Sequence, residues 1–276
     1  MDLSIIILNY KSRGLTKQCL KGILKSKPQL NYEIIIVDNN SNDGCIKYIK
    51  KDIKENPHVS YIQSDRNKGM GAGNNLGIKK AKGKYILILN PDVAIFKDSL
   101  DKMHKYLESH PEIAVLGPKL TTPAKELQYS CFRFPTPFDF IIRRINLPFG
   151  KKALSNYQMQ AWDHNNIKEV DWVQGSCMML RKEIINKVGM FDERYSMYLE
   201  DTDWCRRFWS NGYKVIYFPE VSLIHYYSRG AAGSGLFKSL FKKITWIHIA
   251  SAVKYFLKWR KKTITTLSQN LSRIES

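Results

Sequence analysis

Four short apolar runs constrain this chain most: Ser4-Ile-Ile-Ile-Leu-Asn-Tyr10, Glu33-Ile-Ile-Ile-Val37, Val59-Ser-Tyr-Ile-Gln63 and Tyr85-Ile-Leu-Ile-Leu89. Each has strand length, and the three isoleucine-rich ones are apolar at consecutive positions, as in strands covered on both faces. Helix-period segments separate them. Leu15, Cys19, Leu20, Ile23 and Leu24 form one stripe that stops before Pro28. Further helices are predicted at about 44–54, from the glycine-rich Asn67–Asn75, and at about 98–109. This alternation predicts an α/β fold, with a mostly parallel central sheet and helices on both faces. A short strand follows at Ile113–Gly117. Residues 121–170 are rich in Pro, Asn and aromatics and read as an irregular insertion that shapes a substrate pocket. Val173–Arg181 reads as a strand, Lys182–Val188 as a helix and Tyr213–Phe218 as a strand.

In open parallel sheets, ligands bind beyond the carboxyl ends of the strands. The polar clusters Asn9/Tyr10, Asp38/Asn39/Asn40 and Asn90/Asp92 therefore converge on one rim. Taken singly, each acid has a plain structural reading, Asp38 as a helix cap and Asp92 as turn chemistry after Pro91. The cluster Gly69, Gly71, Gly73 is either a tight turn needing positive φ or a phosphate cradle at a helix start. Its spacing is not the dinucleotide fingerprint, and no P-loop lysine follows it. Arg66 and Lys68 beside it favour an anionic ligand. Together these residues describe a nucleotide site with Mg²⁺ or Mn²⁺, ions that take carboxylate oxygens and leave positions for phosphates. His225, past a strand and amid tyrosines, is either structural or a ligand to the same metal or phosphate.

A second focus is Met197-Tyr-Leu-Glu-Asp-Thr-Asp-Trp-Cys-Arg-Arg207, with Glu200, Asp201 and Asp203 among aromatic residues. Acids favour helix starts, so a solvated helix N-terminus is one reading. A carboxylate in a cleft, poised as a general base, is the other.

The net charge of +19 calls for a partner of opposite sign: nucleic acid, an anionic membrane face or a phosphorylated substrate. From Arg229 onward there are ten Lys/Arg and one acid, so this segment alone carries 10 − 1 = +9. Within it, Leu236, Phe237, Leu240, Phe241, Ile244 and Ile247 share one helical face. After Trp246 the apolar face moves round to Ile249, Val253, Phe256 and Leu257, with Lys254 and Lys258 opposite. Aromatic faces flanked by lysines read as interfacial membrane helices, and docking onto the rest of the protein is the rival reading. No apolar run reaches the roughly 18 residues of a spanning helix, and the N-terminus lacks a basic region before its apolar run. Five widely spaced cysteines suit a reducing compartment. A cytoplasmic protein, peripheral on the inner face of the cell membrane, is expected. No nucleic-acid-binding motif is present, and such a module would leave the rim acids unexplained.

The set Ser4–Tyr10, Val37-Asp-Asn-Asn-Ser41, Asn67-Lys-Gly-x-Gly-x-Gly-Asn-Asn-x-Gly77, Leu89-Asn-Pro-Asp-Val93, Gln174-Gly-Ser-Cys-x-x-Leu-Arg181, Phe191-Asp-Glu and Glu200-Asp-x-Asp-Trp-Cys-x-Arg207 resembles family 2 glycosyltransferases, in particular their rhamnosyltransferase-like branch. The resemblance runs over about residues 3–230 in the family's order. It implies a GT-A fold, a nucleoside-diphosphate sugar donor, a divalent metal (Mg²⁺ or Mn²⁺) and inversion at the anomeric carbon. The acceptor it implies is a glycan or a lipid-linked sugar of a cell-surface polysaccharide. Asp38 would contact the base or ribose, with Asn9 and Tyr10 in the same pocket. Asn40, Lys68, Gly69, Asn74, Asn90, Gln174, Gly175 and Arg229 would complete the donor site. Asp92 and His225 would hold the metal, Asp201 would be the catalytic base and Glu200 its neighbour. Where the family's D-x-D element begins with Asp, this chain has Asn90, which brings no charge and implies weaker metal binding. Residues 1–95 then form the donor-binding half, 96–230 the acceptor-binding half, and 231–276 a basic amphipathic tail. Galactosyl, mannosyl or N-acetylglucosaminyl transfer is the alternative specificity.

Overall fold

The computed structural model of the chain describes residues 1–145, 150–226 and 243–260. β1 (Leu3–Asn9), β2 (Tyr32–Asp38), β3 (Val59–Gln63) and β4 (Tyr85–Leu89) pair in parallel in the order β3-β2-β1-β4. Between them run α1 (Arg13–Ser26), α2 (Cys45–Glu55) and α3 (Met70–Lys80). Side chains alternate across a strand, and here both faces are buried. Leu3, Ile5 and Ile7 of β1 join Ile34 and Ile36 of β2 against α1, α2 and α4 (Ser99–Glu108). Ile6, Ile35 and Val37 point the other way, into the layer containing Ile78 of α3.

The sheet continues through β11 (Cys177–Arg181), β6 (Ile113–Thr121), β12 (Lys214–His225) and β5 (Val93–Ala94). β11 is antiparallel to both β4 and β6, and β12 is parallel to β6. Six of the eight strands along the sheet thus share one direction, and β11 and β5 oppose it. β7 (Leu127–Gln128) and β9 (Lys168–Glu169) attach to β6 and β12. α7 (Lys182–Val188) and α8 (Glu200–Ser210) cover the second face, where Trp204, Cys205 and Phe208 are buried.

Three predicted boundaries differ. The strand foreseen over Val173–Arg181 is two, β10 (Trp172–Val173) and β11, because the chain leaves the sheet at Gln174–Ser176. β10 pairs instead with β8 (Cys131–Phe132). The strand foreseen at Ile113–Gly117 continues to Thr121, and Tyr213–Phe218 lengthens to His225, since each supplies the other's ladder through a bulge near Phe218. The insertion at 121–170 is more ordered than its composition implies: it holds α5 (Pro137–Ile145) and α6 (Lys151–Tyr157). All five cysteines are free and buried.

α9 (Lys243–Trp259) docks on the domain, as the rival reading of the tail anticipates. Tyr255, Trp259 and Ala252 form a third apolar cluster with Tyr195 and Leu199. Lys258 does not face away; it is bonded to Asp192 (2.9 Å) and Asp203 (2.8 Å). The stretch before Lys243, Arg229 included, lies outside the described residues.

Candidate active site

Because β1, β2, β4 and β12 run in one direction, their last residues Asn9, Asp38, Leu89 and His225 share the carboxyl rim. The Asn9 side chain sits at its base, donating to Asp38 (2.9 Å) and Ser41 (3.0 Å). Asp38 is buried and accepts from the Ser41 amide (2.7 Å) and hydroxyl (2.8 Å). The helix-cap reading does not hold for Asp38, since α2 starts from Gly44 with no side-chain cap; Asp38 instead shapes the loop through Ser41, and Tyr10 and Asn42 beside it are exposed. Lys11, Arg13, Ser41, Asn42 and Asp43 line an open recess of about 530 Å³ there. Asn40 is half-buried with φ +56°, its amide bonded to Asp65 O (3.1 Å).

Gly69 has φ +102°, and a Cβ there would meet the Ser196 carbonyl at 2.1 Å, so only glycine fits. Asn67 and Ser196 already take the Gly69 and Met70 amides, at 2.9 and 3.1 Å. Two donors of the supposed phosphate cradle are thus occupied, and Gly73 serves close packing of α3 on Leu8. Lys68 is exposed at the turn's edge. Asn74 is buried, donating to Met70 O (3.1 Å).

The two-residue β5 pairs Val93 with His225 and Ala94 with Ile224. This bridge sets Asp92 beside His225, with His225 Nε2 3.4 Å from Asp92 Oδ1. On the far side of the ring Gln128, from β7, faces Nδ1 at 3.0 Å through Oε1, and its amide donates to His225 O. Gln128 Oε1 can only accept, so it assigns the proton of a neutral imidazole to Nδ1. Nε2 then turns a lone pair toward a carboxylate. Two electron-rich atoms at that distance need a proton or a cation between them. Asp92 Oδ1 is buried without a hydrogen-bond partner among the described residues. These residues fit a divalent cation that takes its remaining ligands from phosphate and water. A second grouping, Asp38, Asp43 and Cys45, lies within ligand reach, but both carboxylates are consumed by hydrogen bonds and burial pushes the Cys45 thiol up to about 12. That chemistry does not suit an ion.

The loop that interrupts the predicted strand joins the two acidic foci. Ser176 O accepts from the Asn90 amide (2.8 Å), and the Gly175 amide donates to Asp201 Oδ2 (2.9 Å). Asp201 Oδ1 accepts from the Thr202 amide (2.8 Å). Gly175 thus holds the acid of α8, and a Cβ there would stand 3.3 Å from Asp201 Cβ. Gln174 is anchored by its amide to Ser130 O (2.8 Å). Tyr198 and Leu199, both with φ near +70° (69° and 67°), turn the chain sharply into α8. Non-glycine residues held there store strain, which clusters at functional sites.

Burial raises the Asp201 carboxyl, against the lowering effect of its amide bonds. Burial first, and the Asp201 charge second, push Glu200 up to about 8. Glu200 Oε2 has no hydrogen-bond partner among the described residues. Five of the nine orphaned buried side-chain atoms among the described residues lie at this rim, on Asn39, Asn74, Asp92, Ser176 and Glu200. Such atoms are rare in native proteins, and their clustering marks a place that awaits polar partners. Sequence reasoning missed Gln128, Thr202 and Ser196, because each acts through a contact distant in sequence or through backbone.

The architecture is that of the GT-A glycosyltransferases. Among solved structures it is similar to GalNAc-T7 with UDP, GalNAc and Mn²⁺ (TM-score 0.64, 15% identity, 82% of this chain and 44% of that one). It is likewise similar to the mannosyltransferase PcManGT of Pyrobaculum calidifontis with GDP-Man and Mn²⁺ (TM-score 0.58, 15% identity, 99% and 80%). The model of the glycosyl transferase family 2 matches residues 4–189, and the chain belongs to that family. The hexosyltransferase Agl10 of low-salt glycan biosynthesis in Haloferax volcanii is 30% identical over 214 residues. That match covers 75% of this chain but only 61% of Agl10. Rhamnosyltransferase WbbL of Escherichia coli is 29% identical over 280 residues, 99% of this chain and 97% of WbbL.

Proposed function

We propose that the chain transfers a hexosyl group, with inversion, from a nucleoside-diphosphate sugar to a glycan or lipid-linked acceptor. The observation that carries this is the loop Gly175–Ser176, which ties a buried carboxylate to the end of β4 beside Asp92 and His225. Asp201 accepts the proton of the acceptor hydroxyl as its oxygen bonds to the anomeric carbon and the bond to the diphosphate breaks. The amides of Gly175 and Thr202 hold that carboxylate in place. Glu200 keeps its own proton, so no second negative charge forms beside the base.

Asp92 and His225, the latter oriented by Gln128, would hold the metal. When bound, a divalent cation supplies charge neutralisation for the departing diphosphate. Lys68 adds a mobile positive charge at the same rim, and Tyr10 and Asn40 border the nucleoside. Rhamnose is the favoured sugar because the WbbL similarity extends over nearly the whole chain. The acceptor is met at the inner face of the cell membrane. No helix among the described residues is long and apolar enough to cross it, and the +9 terminal segment suits an anionic surface.

A panel of dTDP-, UDP- and GDP-sugars, each with Mg²⁺ or Mn²⁺, tests the reading. One donor should be consumed, and only with the ion. Asp92→Ala should raise the metal concentration for half-maximal rate about tenfold or more, in line with losses at metal-ligand sites. An unchanged metal titration removes Asp92 from that role, and consumption of no donor defeats the proposal.

A further inference from the structure

α9 presents two faces. One packs inward through Ala252, Tyr255 and Trp259. The other carries Trp246, Ala250, Val253 and Leu257, spaced four, three and four apart so that they form one stripe. Val253 is 51% and Leu257 64% exposed. The sequence-derived apolar face is thus divided: Phe256 turns toward Phe140, and the solvent stripe runs through Ala250 and Val253.

α5 lies against α9 through Phe140, whose ring contacts His248 (4.9 Å) and Phe256 (6.3 Å). Its own outward residues are Phe138, 56% exposed, and Ile141, 49% exposed. Two helices about a hundred residues apart in sequence therefore meet and both expose large apolar side chains. Monomeric proteins seldom leave such side chains grouped on their surface without a use.

The charge around them selects the occupant. No Asp or Glu occurs between Glu220 and Glu275, while Lys254 and Arg260, both exposed, fall in or just after α9. On α5 the acid Asp139 is engaged by Thr136. Apolar anchors interleaved with cations suit the headgroup boundary of an anionic bilayer.

We propose that α5 and α9 together form a bilayer-docking surface, with Phe138, Ile141, Val253 and Leu257 entering the headgroup boundary. This rests on the membrane-surface acceptor above and names the residues that meet the lipid. The surface is fastened to the catalytic helix. Asp203 of α8 accepts from Lys258 (2.8 Å), the Trp259 indole (2.9 Å) and Arg207 (3.1 Å), and Asp201 lies two residues earlier in the first turn of that helix. Docking would thereby set the base at a fixed height over the bilayer, where a lipid-linked hydroxyl is carried.

The test is sedimentation of the full chain with vesicles of equal parts phosphatidylglycerol and phosphatidylcholine. Wild type is compared with Val253→Ser/Leu257→Ser and with Phe138→Ser/Ile141→Ser. Each pair should weaken partitioning about tenfold to a hundredfold, with donor hydrolysis in vesicle-free solution unchanged. Vesicles of phosphatidylcholine alone should retain much less wild type. If wild type fails to bind any vesicle, the membrane reading itself falls. If wild type binds and both double variants bind equally well, this surface is not the one used. Conversion of a wild-type dimer to monomers by the same changes, seen by light scattering without lipid, would assign the face to a second copy and overturn the proposal. Should one pair unfold the protein, the other, on a separate helix, still decides.

Discussion

At the scale of single residues, adjacent Glu200 and Asp201 sit in different surroundings, which suits the separate roles proposed for them. Asp201 has two amide donors; Glu200 Oε2 has none among the described residues. Burial and the neighbouring Asp201 charge both disfavour ionisation, and the proton stays on Glu200. Its carboxyl titrates near 8 in the fold against 4.5 in the unfolded chain. Between those values the native state holds a proton that the unfolded state has lost. Stability from this group therefore falls as pH rises from 4.5 toward 8, at up to about 1.4 kcal/mol per pH unit. Glu200→Gln, which cannot ionise, should lack that slope. Urea unfolding of both proteins from pH 5 to 8 checks it, and parallel stability curves would show that Glu200 is already ionised. The acids themselves were visible in the sequence. Their division was not, because it depends on the amide of Gly175, twenty-six positions away. Asp38 was legible as a rim residue for the same reason that its role was not: the strand end places it, but Ser41 and Asn9 engage its oxygens.

At the scale of elements, the alternating runs specify β1, β2 and β4 nearly to the residue, since strands buried on both faces leave an unbroken apolar signature; β3 is the half-exposed edge. Where the pattern fails, the chain changes partner without changing composition. Val173–Arg181 stays apolar through the loop at Gln174–Ser176, so only the ladder shows the break. α9 fails differently. It is apolar on most sides, so periodicity cannot choose which face docks, and Lys258 appeared solvent-facing although two aspartates receive it. That ion pair is structural. Arg194 first, and Lys258 after it, hold the Asp192 carboxyl well below the usual range. Lys258→Ala leaves the fully buried Asp203 with Arg207, Trp259 and Tyr195. It should cost about 1.5–3 kcal/mol, the range for a hydrogen bond to a charged group. The loss should appear as faster amide exchange across α9 with the sheet unaffected; exchange in α9 at the wild-type rate would mean that the lysine contributes nothing to docking.

At the scale of the whole molecule, one sheet positions the rim of the candidate site, and α8 adds Glu200 and Asp201. Six strands of common direction bring Asn9, Asp38, Asn90 and His225 to one rim, and the reversed strand β11 brings Gly175 to the same place. The short antiparallel β5 then folds Asp92 back onto His225. The net charge of +19 lies outside this chemistry, weighted toward the terminal segment. Asp203 ties α8 to α9 through Lys258 and the Trp259 indole, so the proposed base and the proposed docking surface are mechanically joined there. The central claim is that Asp201 is the base of a glycosyl transfer. It is tested most directly by titrating the consumed nucleotide sugar into wild type and Asp201→Asn, then measuring transfer by both. Donor affinity should agree within about threefold, while transfer falls by a factor of about 10² to 10⁴, the contribution of a general base. Transfer by Asp201→Asn at a rate near wild type, with the donor bound normally, would contradict the account.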